Sequence, residues 1–181
     1  MTWPYICYLW VQVYQSWTKR AKDASFRLRP FIDQIIASTA LPYDARILCV
    51  GARNIREGRL WAQRGYHHVR AIDLMPSRGV EFGDFHRLRF ADESFDLVFA
   101  SHALEHAWDP DRALAEIVRV LRPNGYLFAA FPVAFQLTAH DRVDFGSAEG
   151  FLAHLPSLTK VRLLWQQKKL GEVALLATIY P

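Results

Sequence analysis

From residue 46 onward, short runs of apolar residues alternate with longer segments in which apolar residues recur every three or four positions. Short runs that are apolar at nearly every position are typical of parallel strands buried on both faces, and the longer period is typical of helices that cover a sheet. The pattern predicts parallel strands over 47–50, 69–72, 95–100 and 126–131. Strands that alternate with helices in this way indicate an α/β fold.

The clearest helix begins at Pro110, with Asp109 as its N-cap, and is stopped by the turn Pro123-Asn124-Gly125. A second helix is predicted over 56–64, ending at Gly65, and a short one is started by Ser147. The long helix carries one apolar stripe, formed by Leu114, Ile117, Val118 and Leu121.

The segments KVRLLWQQ and EVALLATIY, near the end of the chain, predict two closing strands, and their short connection favours an antiparallel pair. The predicted fold is therefore a Rossmann-like, doubly wound sheet in three α/β/α layers, mostly parallel with an antiparallel closing strand. We expect one domain over 1–181, with an N-terminal helical cap in 1–40 and an α/β core in 46–181.

The N-terminal segment is apolar but contains Pro4, Gln12, Gln15 and Ser16, so a membrane-spanning helix is not expected. Because no basic residue precedes Lys19, a signal peptide is not expected either. We expect a helix that covers the domain's own pocket, and the alternative is a helix that lies on a membrane surface.

Composition narrows the protein class without naming a function. With 51% hydrophobic and 22% charged residues, the chain has the composition of a globular protein, and its net charge of +4 allows an anionic partner without requiring one. Its basic residues are spread out, with short groups such as Lys19-Arg20 and Lys168-Lys169. Cys7 and Cys49 suggest neither a disulfide nor a metal site, so we expect a reducing, cytoplasmic location and no metal.

In an open parallel sheet, ligands bind at the carboxyl ends of the strands. The first predicted strand ends at Gly51, and the second ends at Asp73, where a carboxylate can accept both hydroxyls of a ribose. A strand-end aspartate taken alone is equally well explained as a turn residue.

The stretch from Gly83 to Pro132 contains the segments Phe-Asp-Leu-Val, Leu-Glu-His and Leu-Arg-Pro-Asn-Gly in that order. In these motifs it closely resembles the class I S-adenosylmethionine-dependent methyltransferases, in particular their small-molecule type, also called type 11. Including the first two strands, the resemblance covers about half of the chain.

The resemblance implies S-adenosylmethionine as cofactor and a small-molecule methyl acceptor. Asp73 then holds the ribose, Asp84 receives the adenine amino group with Phe85 beside the ring, and His106 lies at the mouth of the acceptor pocket as the candidate base. The remaining cofactor-binding positions implied in this way are Gly51, Ala52, Arg53, Asn54, Leu74, Ser101 and His102. His140 and the pair His67-His68 are expected to be packing or surface residues, with the pair at the opposite end of the sheet.

Three departures from the family pattern bear on function. The second and third glycines of the family's cofactor loop fall on Arg53 and Ile55, so Arg53 either blocks the cofactor or pairs with its carboxylate. The link 74–83 is too short for the usual helix, which predicts a more open edge around the adenine. The region 133–158 is small, so the acceptor is expected to contact the N-terminal helix, the loop 140–145 or a partner subunit.

The leading interpretation is methyl transfer, and the alternative is a non-catalytic binding or partner subunit with the same fold. Oligomeric state, as a homo-oligomer or with a partner subunit, stays open. A nicotinamide-dependent oxidoreductase is disfavoured because the loop lacks the G-x-G-x-x-G spacing. Nucleic acid is not an expected partner, since no recognition motif or stacking platform is evident.

Overall fold

The computed structural model describes residues 2–19 and 25–180. Within those residues, the strands are β1 (Ile47–Val50), β2 (Val69–Asp73), β3 (Glu81–Phe82), β4 (Phe95–Ser101), β5 (Leu121–Pro132), β6 (Lys160–Lys169) and β7 (Glu172–Tyr180). The helices are α1 (Trp3–Lys19), α2 (Ser25–Ser38), α3 (Arg56–Ala62), α4 (Pro110–Val120) and α5 (Ala148–Leu152), with a 3-10 turn at Leu104–His106. Arg20, from the basic pair Lys19-Arg20, lies outside the described residues.

The described strands form one sheet in the order β3-β2-β1-β4-β5-β7-β6. β1 pairs in parallel with β2 and β4, and β4 pairs in parallel with β5. β7 is antiparallel to both of its neighbours, β5 and β6. Leu170 and Gly171 join β6 to β7 with φ of 50° and 75°, the left-handed pair that a two-residue hairpin of this twist uses. The predicted fold class is confirmed.

The sheet is buried on both faces because alternate residues of its central strands point to different layers of helices. Ile47 and Cys49 of β1 pack into the layer that contains α2 and α3, while Leu48 and Val50 pack into the layer that contains α4 and α5. All four side chains are fully buried. The near-continuous apolar run in the sequence follows from this two-sided burial.

Element boundaries differ from the prediction where sheet pairing competes with helix propensity. Asp109 caps α4 by accepting the Arg112 N–H at 3.0 Å, as predicted, but the helix ends at Val120, before the Pro-Asn-Gly turn. Leu121 is already extended and pairs with Phe95 of β4, so β5 begins five residues before the predicted strand, which started at 126. α3 likewise ends at Ala62, two residues before the predicted end at 64.

The N-terminal region contains two helices with different roles. α1 lies over the carboxyl ends of the strands, where Tyr8 and Gln12 are buried. α2 packs against the sheet through Phe31, Ile32 and Ile35, so it belongs to one of the covering layers. None of the helices in the described residues is long and apolar enough to cross a membrane.

Candidate functional site

The loop after β1 requires glycine at its first position. Gly51 has a φ of 69°, and a Cβ there would lie 2.5 Å from the Cβ of Ala103, which follows β4. Both the backbone conformation and the close approach of the two strand ends therefore exclude a larger residue. The next residue, Ala52, donates its N–H to the carbonyl of Ile72 at 3.0 Å, which ties the loop to β2.

The two side chains that replace the family's glycines point to different places. Arg53 has a φ of 41° and lies at the strand ends, where it lines the space above the sheet. Ile55 packs against the link between β2 and β3, because a Cβ on Gly79 would lie 2.6 Å from the Ile55 Cδ1. Of these two residues, only Arg53 therefore lies at the candidate cofactor site. Ile55 packs under the 74–83 link between β2 and β3 instead.

Asp73 is buried at the end of β2 and holds the neighbouring backbone in place. Its Oδ1 accepts the Met75 N–H at 2.8 Å, and its Oδ2 accepts the Arg53 N–H at 3.3 Å. An ionised carboxylate can accept about four hydrogen bonds, so two positions remain for other donors. Asp73 can therefore fix the loop and still receive a pair of ligand hydroxyls.

Asp84, which follows β3, lies in a partly buried hydrogen-bond network with His86 and with Tyr5 of α1. Its Oδ1 accepts the backbone N–H of His86 at 2.9 Å and faces the His86 Nδ1 at 2.8 Å, and its Oδ2 accepts the Tyr5 hydroxyl of α1. Burial alone would raise the pKa of Asp84, but the hydrogen bonds from His86 and Tyr5 outweigh it and lower the pKa. The His86 Nε2 accepts the Trp108 N–H at 3.1 Å, so Nδ1 carries the proton that points to Asp84.

The edge predicted to be open is partly covered by α1. As expected, the short link 74–83 contains no helix in the structure, and β3 lies within it. Leu9 and Val13 of α1 face the same depression as Phe82 and Leu88, and Tyr5 reaches Asp84. α1 covers only part of this edge, where a depression of about 380 Å³ remains and Phe82 is 53% exposed, so the more open adenine edge stays a prediction.

Two small cavities lie at the strand ends, the first under α1 and the second beside α2 and α3, and together we call them the strand-end cleft. The first has a volume of about 40 Å³ and the second about 90 Å³. Gly51, Arg53 and His102 line both, so they form the wall between the two. Every predicted cofactor or catalytic residue except Asp84 lines one of these cavities: Gly51, Ala52, Arg53, Asn54, Asp73, Leu74, Phe85, Ser101, His102 and His106.

His102, just after β4, lies between two carboxylates. Its Nε2 is 2.5 Å from the Glu172 Oε2, and its Nδ1 is 3.5 Å from the Glu105 Oε1. Burial alone would lower the pKa of His102, but the hydrogen bonds to Glu105 and Glu172 outweigh it and raise the pKa. Arg27 of α2 also reaches Glu172, at 3.3 Å, so basic and acidic groups alternate along this side of the cleft.

His106 is held by the loop that follows β5. Its Nδ1 lies 3.1 Å from the Asp141 Oδ1 and 3.2 Å from the His140 carbonyl, and its ring stacks on that of His140 with centroids 3.9 Å apart. Both neighbours of Nδ1 are acceptors, so the proton belongs on Nδ1, and Nε2 faces the Glu105 Oε1 at 3.9 Å. Ligand atoms of His106, His140 and Asp141 lie within 4.8 Å of one another, close enough to share a metal ion, although the sequence predicted no metal site.

Comparison with known proteins agrees with this geometry. Residues 48–129 match the family model described as a methyltransferase domain. This match, together with the solved structures described below, supports a class I S-adenosylmethionine-dependent methyltransferase. The matched residues include β1, β2 and β4, whose carboxyl ends form the strand-end cleft, so the family assignment and the site rest on the same part of the methyltransferase domain.

Curated relatives of this methyltransferase domain match over short segments. The malonyl acyl-carrier-protein O-methyltransferase of Methylococcus capsulatus is 46% identical over 81 residues, covering 44% of this chain and 28% of that enzyme. A phthiotriol/phenolphthiotriol dimycocerosates methyltransferase of Mycobacterium ulcerans is 54% identical over 54 residues, covering 27% of this chain and 19% of that enzyme. The chain thus spans well under a third of the length of these relatives.

Solved structures share the fold of this chain over nearly its full length. The 1,6-didemethyltoxoflavin-N1-methyltransferase of Burkholderia thailandensis, solved with S-adenosylhomocysteine bound, aligns with a TM-score of 0.72 at 19% identity, covering 100% of this chain and 92% of that one. A Haloferax volcanii protein solved in complex with the Trm112 methyltransferase activator aligns with a TM-score of 0.63 at 16% identity, covering 91% of this chain and 97% of that one.

Some residues of the site were not found from the sequence. Glu172 reaches His102 because β7 runs antiparallel, which places its first residue beside Pro132 at the carboxyl end of β5. The predicted antiparallel pair of closing strands already implied this placement, because the first residue of a strand antiparallel to β5 lies at the carboxyl edge of the sheet. Tyr5 and Asp84 are 79 residues apart, and no local signal in the sequence connects them. His67-His68, as predicted, precedes β2 at the opposite end of the sheet.

Glu57 of α3 is a further buried carboxyl beside the cleft. Burial raises its pKa to about 8, with Arg53 lowering it and Asp73 raising it by smaller amounts. Its Oε2 has no hydrogen-bond partner among the described residues. Glu57 is therefore largely uncharged near neutral pH in the folded state.

Replacing Glu57 with glutamine is expected to raise the free energy of unfolding, relative to the wild type, by roughly 4 kcal/mol more at pH 8 than at pH 4.5. Because the folded-state pKa of about 8 lies above the unfolded value of 4.5, the carboxyl costs stability progressively as pH rises between these values. Glutamine resembles the protonated acid and does not titrate. Urea unfolding across this pH range measures the difference, with the exposed Glu93→Gln as control, and a difference that does not change with pH would contradict the assignment.

Proposed function

We propose that this chain binds S-adenosylmethionine in the strand-end cleft and transfers its methyl group to a small-molecule acceptor. The observation that carries the proposal is the convergence of Gly51, Asp73 and His102 at one cleft, from the carboxyl ends of three neighbouring strands of a methyltransferase domain. This is the edge at which open α/β sheets bind their ligands.

Each part of the cofactor has a matching place in the cleft. Asp73 supplies acceptors for the ribose hydroxyls, and Phe85 supplies an apolar surface for the adenine. The second cavity holds Arg27, Arg53 and Arg56, so it suits the carboxylate of the methionine part. Asp84 is turned toward Tyr5 and His86, and it can receive the adenine amino group only through its remaining lone pairs.

Cofactor entry requires α1 to move. A first cavity of about 40 Å³ has room for about three water molecules, far less than an adenosine needs. Tyr8 and Gln12 of α1 line this cavity, and Gln12 donates to the His140 carbonyl at 3.0 Å. We infer that α1 is a lid over the cleft. Two hydrogen bonds hold it closed, one from Gln12 to the His140 carbonyl and one from the Tyr5 hydroxyl to Asp84.

The cofactor supplies an electrophilic methyl group on a positively charged sulfur. In the transfer, a bond forms between the acceptor's nucleophilic atom and the methyl carbon, and the carbon–sulfur bond breaks with its electron pair left on sulfur. Alignment of the three atoms provides most of the rate increase. His106, whose Nε2 can take a proton, serves as the base if the acceptor atom must lose one, and Asp141 and the His140 carbonyl hold its ring.

The alternative, a non-catalytic binding or partner subunit, is favoured by the narrow cleft and by Arg53 in its wall. Incubation with methyl-labelled S-adenosylmethionine and pools of small molecules tests catalysis. Transfer of the label with release of S-adenosylhomocysteine supports the proposed function. Tight cofactor binding without transfer to any pool supports the alternative.

Arg53→Ala is expected to weaken S-adenosylmethionine binding about tenfold, because the guanidinium then no longer meets the carboxylate of the methionine part. Binding of 5′-methylthioadenosine, which lacks that carboxylate, is expected to change by less than about twofold. The exposed Arg59→Ala is the matched control. Calorimetric titration with both ligands measures the effects; tighter S-adenosylmethionine binding in Arg53→Ala would mean that Arg53 blocks the site.

A further inference from the structure

α1 turns Tyr8 and Gln12 toward the protein and a row of large aromatic residues away from it. Tyr8 and Gln12 are buried against the strand-end cleft. On the opposite side, large aromatic side chains are between 49% and 75% exposed, a group that we call the aromatic stripe: Trp3, Trp10, Tyr14 and Trp17. A helix on the surface of a globular protein usually carries polar or charged residues on its outward side.

The spacing of the aromatic stripe makes it one continuous surface. Positions 3, 7, 10, 14 and 17 are separated alternately by four and three residues, which places them on one side of a helix with 3.6 residues per turn. Cys7, at the position between Trp3 and Trp10, is also exposed. Large apolar side chains that are contiguous in this way mark an interaction surface, whereas scattered ones do not.

The charges near the aromatic stripe in the sequence are mostly basic: residues 1–32 contain five lysines and arginines and one acidic residue, Asp23. Residues 1–22 contain no aspartate or glutamate, and the basic residues Lys19, Arg20 and Lys22 follow the stripe in the sequence. The partner must therefore accept aromatic rings and carry negative charge.

We propose that the aromatic stripe docks on the surface of an anionic lipid bilayer, with α1 lying in the plane of the headgroups. Tryptophan and tyrosine, rather than leucine or isoleucine, are the residues preferred at that depth, and lipid phosphates attract the adjoining lysines and arginines. A second copy of the chain would bring another stripe but the same basic segment, with no acidic residue in α1 to meet it. The charge therefore favours a bilayer. The proposal does not depend on methyl transfer.

Sedimentation of the full chain with vesicles tests the docking. Binding to phosphatidylcholine vesicles that contain phosphatidylglycerol is expected to be at least about tenfold tighter than binding to phosphatidylcholine alone, and to weaken as salt is raised. The double variant Trp10→Ser, Tyr14→Ser is expected to lose at least about tenfold of the binding to anionic vesicles, since two rings no longer enter the interface.

The matched control is Leu158→Ser, Leu170→Ser, which removes two highly exposed apolar side chains elsewhere and is expected to leave vesicle binding unchanged. Equal loss in the control, or no preference for anionic vesicles, would overturn the proposal. So would a dimer in light scattering that Trp10→Ser dissociates, combined with no vesicle binding, because a second copy would then cover the stripe.

Discussion

Replacing Asp73 with asparagine is expected to weaken S-adenosylmethionine binding about 100-fold. Two ribose hydroxyls that donate to a charged acceptor contribute about 1.5 kcal/mol each, and their loss corresponds to about two powers of ten in the dissociation constant. The asparagine NH2 cannot accept, and it would also face the backbone N–H of Arg53 or Met75, which Asp73 now accepts. Calorimetric titration measures the change in affinity.

The control for this variant is Asp44→Asn, which removes the charge of an exposed aspartate that precedes β1, at the opposite end of the sheet. Its cofactor affinity should equal that of the wild type. Thermal melting of both variants shows whether the fold is kept. If folded Asp73→Asn binds the cofactor within about threefold of the wild type, the ribose does not bind at Asp73.

Replacing Gly51 with alanine is expected to lower the free energy of unfolding by about 3 kcal/mol. About 1 kcal/mol comes from a left-handed backbone that now carries a Cβ, and the rest from overlap with the Cβ of Ala103, 2.5 Å away. Gly146 has nearly the same φ, 68°, but a Cβ there would meet nothing within 4 Å. Gly146→Ala is therefore the matched control, with an expected cost of about 1 kcal/mol.

Urea unfolding of the two glycine variants separates the steric effect from the backbone effect. The double variant Gly51→Ala, Ala103→Gly is expected to recover part of the lost stability, because it removes the carbon that the new Cβ meets. Equal costs at Gly51 and Gly146 would show that the strand ends can separate. The close approach of β1 and β4 would then not be the reason for glycine.

The fold could be predicted from the sequence because strands buried on both faces are apolar at nearly every position. The apolar run Ile47–Val50 is the strand found, and the antiparallel β7 follows from the short connection after β6. The end of α4 was misjudged because Leu121 belongs to the helical stripe by spacing but pairs with Phe95 in the sheet. Tertiary pairing overrode local propensity at that point.

Only those residues of the site that follow the parallel strands could be predicted from the position of the strands. Gly51, Asp73 and His102 were found because the carboxyl ends of parallel strands share one edge. Ile55 was assigned to the cofactor loop by alignment, yet the chain has already turned into α3, where the Asn54 Oδ1 accepts the Arg56 N–H at 3.0 Å. Its side chain therefore reaches the Gly79 link instead.

Contacts between distant segments could not be read from the sequence. The hydrogen bond from Tyr5 to Asp84 depends on where α1 docks, and α1 carries no pattern that specifies its direction across the sheet. The pairing of His106 with Asp141 depends on the path of the loop after β5. Both contacts bear on function, since one fastens the lid and the other orients the candidate base.

Calorimetric titration of the full wild-type chain with S-adenosylmethionine tests the central claim most directly. We predict saturable binding with one cofactor per chain, because Asp73, Arg53 and the Gly51 loop line the same cleft. Absence of binding at millimolar cofactor, in a chain shown to be folded, would contradict the claim that the strand-end cleft is a working cofactor site.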